Sequence, residues 1–106
     1  MDAVAAGAAI TSLTATIAGL TVAATADYHA GIGRIDFVLV DLTSDPFAEA
    51  VDRKNVDFAR SPTEVTDVWI SHAPLTPGVA YRIFFHVYDH NGVNLVGYDR
   101  KDFTKQ

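Results

Sequence analysis

The chain contains no cysteine, so no disulfide can staple it and no thiolate can serve as nucleophile or metal ligand. The redox compartment therefore goes unread. Proline (4) and glycine (7) stand at about ordinary levels for 106 residues, without the enrichment that collagen-like and proline-rich fibrous classes need. Positive charge is scarce: 8 Lys and Arg against 13 Asp and Glu leave a net charge of −5. That balance argues against nucleic acid as the main partner. The first third is poorest of all, with no cation before Arg34, no aromatic before Tyr28, and 11 of the 16 alanines within 33 positions. Residues Ala3 to Ala26 run uncharged for 24 positions, long enough to cross a bilayer. Their strong apolar residues are Val4, Ile10, Leu13, Ile17, Leu20 and Val22, too sparse for a membrane span. A secretory signal needs a basic start, and Asp2 has the wrong sign. We expect no membrane partner, and we read the chain, opening on Met1, as a complete small gene product.

What is present suits one folded domain. The 24 Val, Ile and Leu residues and 11 aromatics supply one core, which excludes a disordered chain. Leu13, Ala15 and Ile17 alternate with Thr14 and Thr16, the period of a half-buried strand. Leu20, Val22 and Ala24 repeat the pattern after Gly19. Residues 1–9 show neither period and read as an N-terminal arm, leaving 10–106 for the domain. Tyr28 to Gly33 reads as a loop. Ile35, Phe37 and Leu39 then alternate with Asp36, Val38 and Val40, and Thr43-Ser44-Asp45-Pro46 ends that strand. Residues 47–60 admit two readings: a short helix running through Lys54, with Asp45 as N-cap and Pro46 at the first helical position, or an edge strand around Val56 and Phe58. Further strands follow at Val65 to Ser71, Tyr81 to Tyr88 and Leu95 to Phe103, the last two joined through Asn91-Gly92. About seven strands spaced near ten residues predict an all-β, antiparallel sandwich or barrel.

Leu75-Thr76-Pro77-Gly78-Val79-Ala80-Tyr81 narrows the choice. The pattern Leu-x-Pro-Gly-x-x-Tyr resembles the E–F corner of fibronectin type III domains, and the stretch from Gly31 to Asp41 resembles the third strand of bacterial immunoglobulin-like modules. The resemblance covers residues 10 to 104 and implies a seven-stranded immunoglobulin-like or fibronectin type III-like sandwich. It makes Tyr81 the corner tyrosine, Leu75 its plug and Pro77-Gly78 the turn. It also turns Tyr81, Ile83, Phe85 and Val87 toward the core. The sequence departs from the family where the second strand usually carries a core tryptophan, near Ala24. Its single tryptophan, Trp69, lies on the strand before the corner, and no Arg-Gly-Asp adhesion triplet occurs.

Groups suited to chemistry are few. His86 and His90 on a strand stand roughly 13 Å apart, too far to share a zinc ion. His29 and His72 sit beside turn residues. Asp89-His90-Asn91-Gly92-Val93-Asn94 has an oxygen-rich look but lacks the third acidic position and the distant bidentate glutamate of a calcium loop. Asp41 and Asp45 read as a solvated loop pair. No nucleophile elbow or phosphate-cradling glycine loop occurs. We expect no catalytic residue, no metal and no cofactor.

The informative feature is a second apolar face. With Tyr81, Ile83, Phe85 and Val87 inward, Arg82, Phe84, His86 and Tyr88 point outward. On the neighbouring strand Val38 and Val40 do the same, where an antiparallel sheet with one wet face is normally polar. Val38, Val40, Phe84 and Tyr88 are therefore candidate interface residues, unless the arm, residues 47–60 or a loop covers them. Trp69 is a fifth candidate, projecting outward if Val68 and Ile70 point in; packing at the sandwich edge is its alternative. The expectation is a non-enzymatic structural or interaction module, bound to a protein partner or to copies of itself. Cysteine-free domains of this kind without a signal peptide resemble bacteriophage virion parts, such as capsid decoration or tail proteins; that resemblance implies a virion location. The alternative is an extracellular carbohydrate- or protein-binding module with Trp69, Tyr88 and Tyr98 as stacking platforms.

Overall fold

Alternation of β-branched and apolar residues with polar ones leaves each strand one face to bury, and two sheets stacked face to face satisfy all of them at once. The computed structural model describes residues 6–17, 19–43 and 50–106. Among these the regular elements are strands: β1 (Gly7–Thr16), β2 (Gly19–Asp27), β3 (Ile32–Asp41), β4 (Asp52–Asp57), β5 (Glu64–Ser71), β6 (Ala80–Asp89) and β7 (Leu95–Thr104). They form a three-stranded sheet, β1-β2-β5, and a four-stranded sheet, β4-β3-β6-β7, with every neighbouring pair antiparallel. Seven strands in two stacked antiparallel sheets settle the choice between sandwich and barrel that the strand spacing left open, and the arrangement is consistent with an immunoglobulin-like sandwich. No helix among the described residues is long and apolar enough to cross a membrane.

The core lies between the sheets. Ile35, Phe37 and Leu39 of β3 and Tyr81, Ile83, Phe85 and Val87 of β6 face Leu20, Val22, Ala24 and Ala26 of β2, all buried. Phe37 sits at its centre, with ring centroids 5.1 Å from Phe85 and 5.7 Å from Trp69.

Trp69 corrects the sequence expectation. It is buried at 5% exposure, whereas Val68 and Ile70, expected inward, are 49% and 58% exposed. The β2–β5 ladder is the cause: Val22 pairs with Trp69 and Ala24 with Asp67, so buried Val22 carries Trp69 to the same face. Ala24 and Ala26, on the buried face of β2, belong to the same core cluster. Bulk expected on the second strand is supplied by its neighbour.

Three boundaries also differ. Gly7, Ala8 and Ala9, read as arm, open β1 by pairing with Asp27, Ala26 and Thr25. β3 begins at Ile32, inside the expected loop, with a bulge before Arg34. Between 47 and 60, Asp52–Asp57 is a strand paired with β3, and its register excludes a helix reaching Lys54. Residues 1–5 of the expected arm, and the Asp45-Pro46 cap, lie outside the described residues.

The corner is built as its letters demand. The Thr76 carbonyl accepts the Val79 N–H at 3.2 Å around Pro77-Gly78, and Gly78 has φ +83°. Proline preset at the first central position and a left-handed glycine at the second are the signature of a type II turn. The Thr76 N–H donates to the Tyr81 hydroxyl at 2.8 Å, while the Tyr81 ring stacks on Phe103 at 5.6 Å.

Both flanks of the sandwich are closed by side chains. Lys54 of β4 donates to the Asp67 carboxylate at 2.8 Å and the Val68 carbonyl at 3.2 Å, and Ser71 donates to Asp52 at 2.6 Å. On the other flank the Ile10 N–H donates to Asp99 at 2.8 Å and Lys101 reaches the Ile10 carbonyl at 3.5 Å. Such bonds occupy strand edges that would otherwise offer free N–H and C=O groups.

Candidate functional site on the outer face of the four-stranded sheet

Side chains of one parity on four adjacent strands share a surface, and the pairing register places them in rows. Arg53, Val38, Phe84 and Arg100 form one row; Asn55, Asp36, His86 and Tyr98 form the next. Asp57, Arg34 and Tyr88 lie on one side of these rows, and Val40, Arg82 and Asp102 on the other. Along β6, Phe84, His86 and Tyr88 make an aromatic ladder, with centroids 5.6 Å and 6.4 Å apart.

Two bidentate ion pairs frame the ladder. Arg34 donates to Asp36 at 2.7 Å and 3.2 Å, and Arg82 donates to Asp102 at 2.7 Å and 3.0 Å. Each guanidinium also lies over a ring, Arg34 at 5.4 Å from the Tyr88 centroid and Arg82 at 5.9 Å from that of Phe84. A planar guanidinium holds a carboxylate with its fork and a ring with its face, which a lysine cannot do. The aromatic ladder is thereby fixed in place while half-exposed.

Burial governs the titration of the ladder. It pulls the His86 imidazole below its usual value, with the Asp36 charge opposing. It pushes the Tyr88 phenol up, reinforced by Asp36 and opposed by Arg34. The hydrogen bond from Arg82 holds the Asp102 carboxyl below the ordinary range.

Of the candidates read from sequence, Val38, Val40, Phe84 and Tyr88 come together here, each half-buried. Trp69 lies in the core on the other sheet and takes no part. Its burial also removes it from the proposed stacking platforms, whereas Tyr98 stands 61% exposed opposite His86. The face is not purely apolar, since buried Asp36 lies within it. The Arg34–Asp36 pair was open to discovery, because residues two apart on a strand share a face. Arg82–Asp102, Arg53 and Arg100 required the register.

Elsewhere the groups serve the fold. The Asp89 carboxylate accepts N–H groups from Asn91, Val93 and Asn94 at 3.2–3.4 Å and the Asn94 amide at 2.8 Å, so the oxygen-rich hairpin binds itself. These bonds, led by the Asn94 side chain, hold Asp89 below the ordinary carboxylate range. Among the described residues no three His, Cys, Asp or Glu side chains gather into a metal-binding group. A concavity of about 550 Å³ near the corner, bounded by Thr16, His72, Pro74 and Lys105, has no Asp or Glu side chain in its lining. No protein-family model matches this chain, and no curated protein matches it.

Proposed function

We propose that this protein is a non-enzymatic interaction module of the fibronectin type III or bacterial immunoglobulin-like kind. It binds a protein partner, or further copies of itself, through the outer face of the β4-β3-β6-β7 sheet. The observation that carries this reading is the Phe84–His86–Tyr88 ladder, held half-exposed between two bidentate Arg–Asp pairs. Aromatic and arginine side chains concentrate where partners bind, because they present large, stiff contact area. The membership of the fold family is supported by the corner hydrogen bond between Thr76 and Tyr81 and by the division into three and four strands. In its narrower form the module is a subunit of a larger assembly such as a phage virion, as a decoration or tail protein.

Co-expression with the products of the genes flanking its own, followed by size-exclusion chromatography with light scattering, tests the reading. The wild type should join a defined complex or oligomer, and Phe84→Ser/Tyr88→Ser should lose it while keeping a cooperative thermal transition. A variant that still assembles removes this face from the function, and a wild type that stays monomeric beside every flanking product removes the assembly reading. Virion genes on both sides would support the narrower form. The exposed Tyr98, opposite His86 on the same face as Tyr88, favours a second reading as a carbohydrate-binding module. A glycan array on which Tyr98→Ala abolishes the signal of the wild type would support that reading instead.

A further inference from the structure

We infer that the partner of this face presents an apolar side chain flanked by two carboxylates; the inference rests on the interaction reading above and specifies the chemistry of the partner. The cations of the chain are sorted by type. All three lysines reach across to the other sheet, Lys54 to Asp67 of β5, Lys101 to the Ile10 carbonyl and Lys105 to the Thr16 carbonyl of β1. Four of the five arginines, Arg34, Arg53, Arg82 and Arg100, occupy the outer face of the four-stranded sheet. Against them this face sets Asp36, Asp57 and Asp102, so it carries an excess of one positive charge in a chain of net charge −5.

The four arginines are not equivalent. Arg34 and Arg82 are committed to Asp36 and Asp102. Arg53 and Arg100 are exposed, and among the described residues neither guanidinium has a hydrogen-bonded carboxylate; Arg100 feels Asp102, which Arg82 already holds. They stand at the two ends of the row Arg53–Val38–Phe84–Arg100. With adjacent strands about 4.8 Å apart, the ends of a four-strand row are separated by about 14 Å.

A partner strand that covers Val38 and Phe84 along this row lies against these two guanidiniums at its ends and strips part of their water. A neutral or basic partner would leave them stripped of water and unpaired, which is costly, whereas carboxylates at matching positions convert the same burial into charge-assisted hydrogen bonds. In an extended chain, residues i, i+2 and i+4 share a face and span about 13 Å. An acidic–apolar–acidic strand laid across the sheet therefore matches both the length and the sign of the row.

The test is an NMR titration of the isotopically labelled full chain with the blocked peptide Glu-Thr-Leu-Thr-Glu, beside its Gln and Lys counterparts. The Glu peptide should shift the amide signals of Val38, Phe84 and Arg100 and bind about tenfold more tightly than the Gln peptide at low salt, as two rim ion pairs allow. The preference should collapse near 1 M salt, where the screening length is about 3 Å, and in Arg53→Gln/Arg100→Gln with an unchanged melting temperature. Equal shifts from the Glu and Gln peptides at this face, or tighter binding of the Lys peptide, overturn the acidic inference and leave the interaction reading standing. No shift on the outer face with any of the three overturns both.

Discussion

Trp69 and Phe37 meet across the gap between the two sheets, their ring centroids 5.7 Å apart and their planes tilted by 34°. That contact joins β5 to β3 inside the one core that also holds Ala24 and Ala26. Trp69→Ala should destabilise the domain by about 3–5 kcal/mol, the range for emptying a large aromatic site. That is much of the ~5–15 kcal/mol available to a domain. Val68→Thr and Ile70→Thr, on the exposed parity of the same strand, should stay within about 0.5 kcal/mol of the wild type. Urea unfolding followed by circular dichroism checks the contrast, and the opposite pattern would mean that β5 is turned over.

The Tyr81 hydroxyl closes the corner by accepting the Thr76 N–H at 2.8 Å. Tyr81→Phe keeps the ring and its stacking on Phe103 and removes that bond alone, so it should cost about 1 kcal/mol. In a domain of this size such a loss lowers the melting temperature by about 4–8 °C. Gly78→Ala should act in the same direction, because φ +83° suits glycine and strains alanine. Scanning calorimetry reads both, and a melting temperature unmoved by Tyr81→Phe would mean that the hydroxyl contributes nothing.

The fold was legible in the sequence wherever period and turn chemistry agreed. Ile35, Phe37, Leu39 and Tyr81 to Val87 alternate so regularly that a single buried member fixes the rest, and all seven inward residues are at most 3% exposed. Pro77-Gly78 and Tyr81 carried the corner in their letters. On β5 the pattern failed, because Glu64 to Ser71 offers two apolar sets, Val65 with Trp69 and Val68 with Ile70. Parity there is decided by pairing with β2, a long-range contact that no local pattern encodes. The same limit hid the outer face. Its aromatic ladder lies on one strand and was visible, whereas Arg82–Asp102 and the row from Arg53 to Arg100 exist only once four strands are in register.

Gly33 is required by space and not by backbone freedom. A Cβ there would run into the Asp89 carbonyl oxygen and lie 2.7 Å from that of His90, where the hairpin after β6 folds back over β3. Backbone atoms cannot swing aside as a side chain can, so Gly33→Ala should destabilise by about 1–3 kcal/mol. Chemical denaturation measures the loss. Amide shifts concentrated in residues 89–94 would locate it at this crossing, and a neutral substitution would mean that the hairpin stands further from β3.

Two acid windows of stability follow from the shifted groups. His86, packed between Phe84 and Tyr88 with Asp36 and Tyr98 opposite it on β3 and β7, is held below the ordinary histidine value of about 6.5 by burial. The unfolded chain therefore takes up this proton first as pH falls, and stability drops from about pH 6.5 downward until the folded imidazole also titrates. Asp89, bonded to Asn94, and Asp102, bonded to Arg82, are held below the ordinary carboxylate value. Their contribution is complete above about pH 4 and is lost as pH falls through their folded values. Melting temperatures measured from about pH 8 down to pH 3 should fall in two steps. His86→Gln should remove the upper step and leave the lower, while Asp102→Asn should shrink the lower and leave the upper. Superimposable profiles for wild type and His86→Gln would mean that the imidazole is solvated and that the ladder does not bury it.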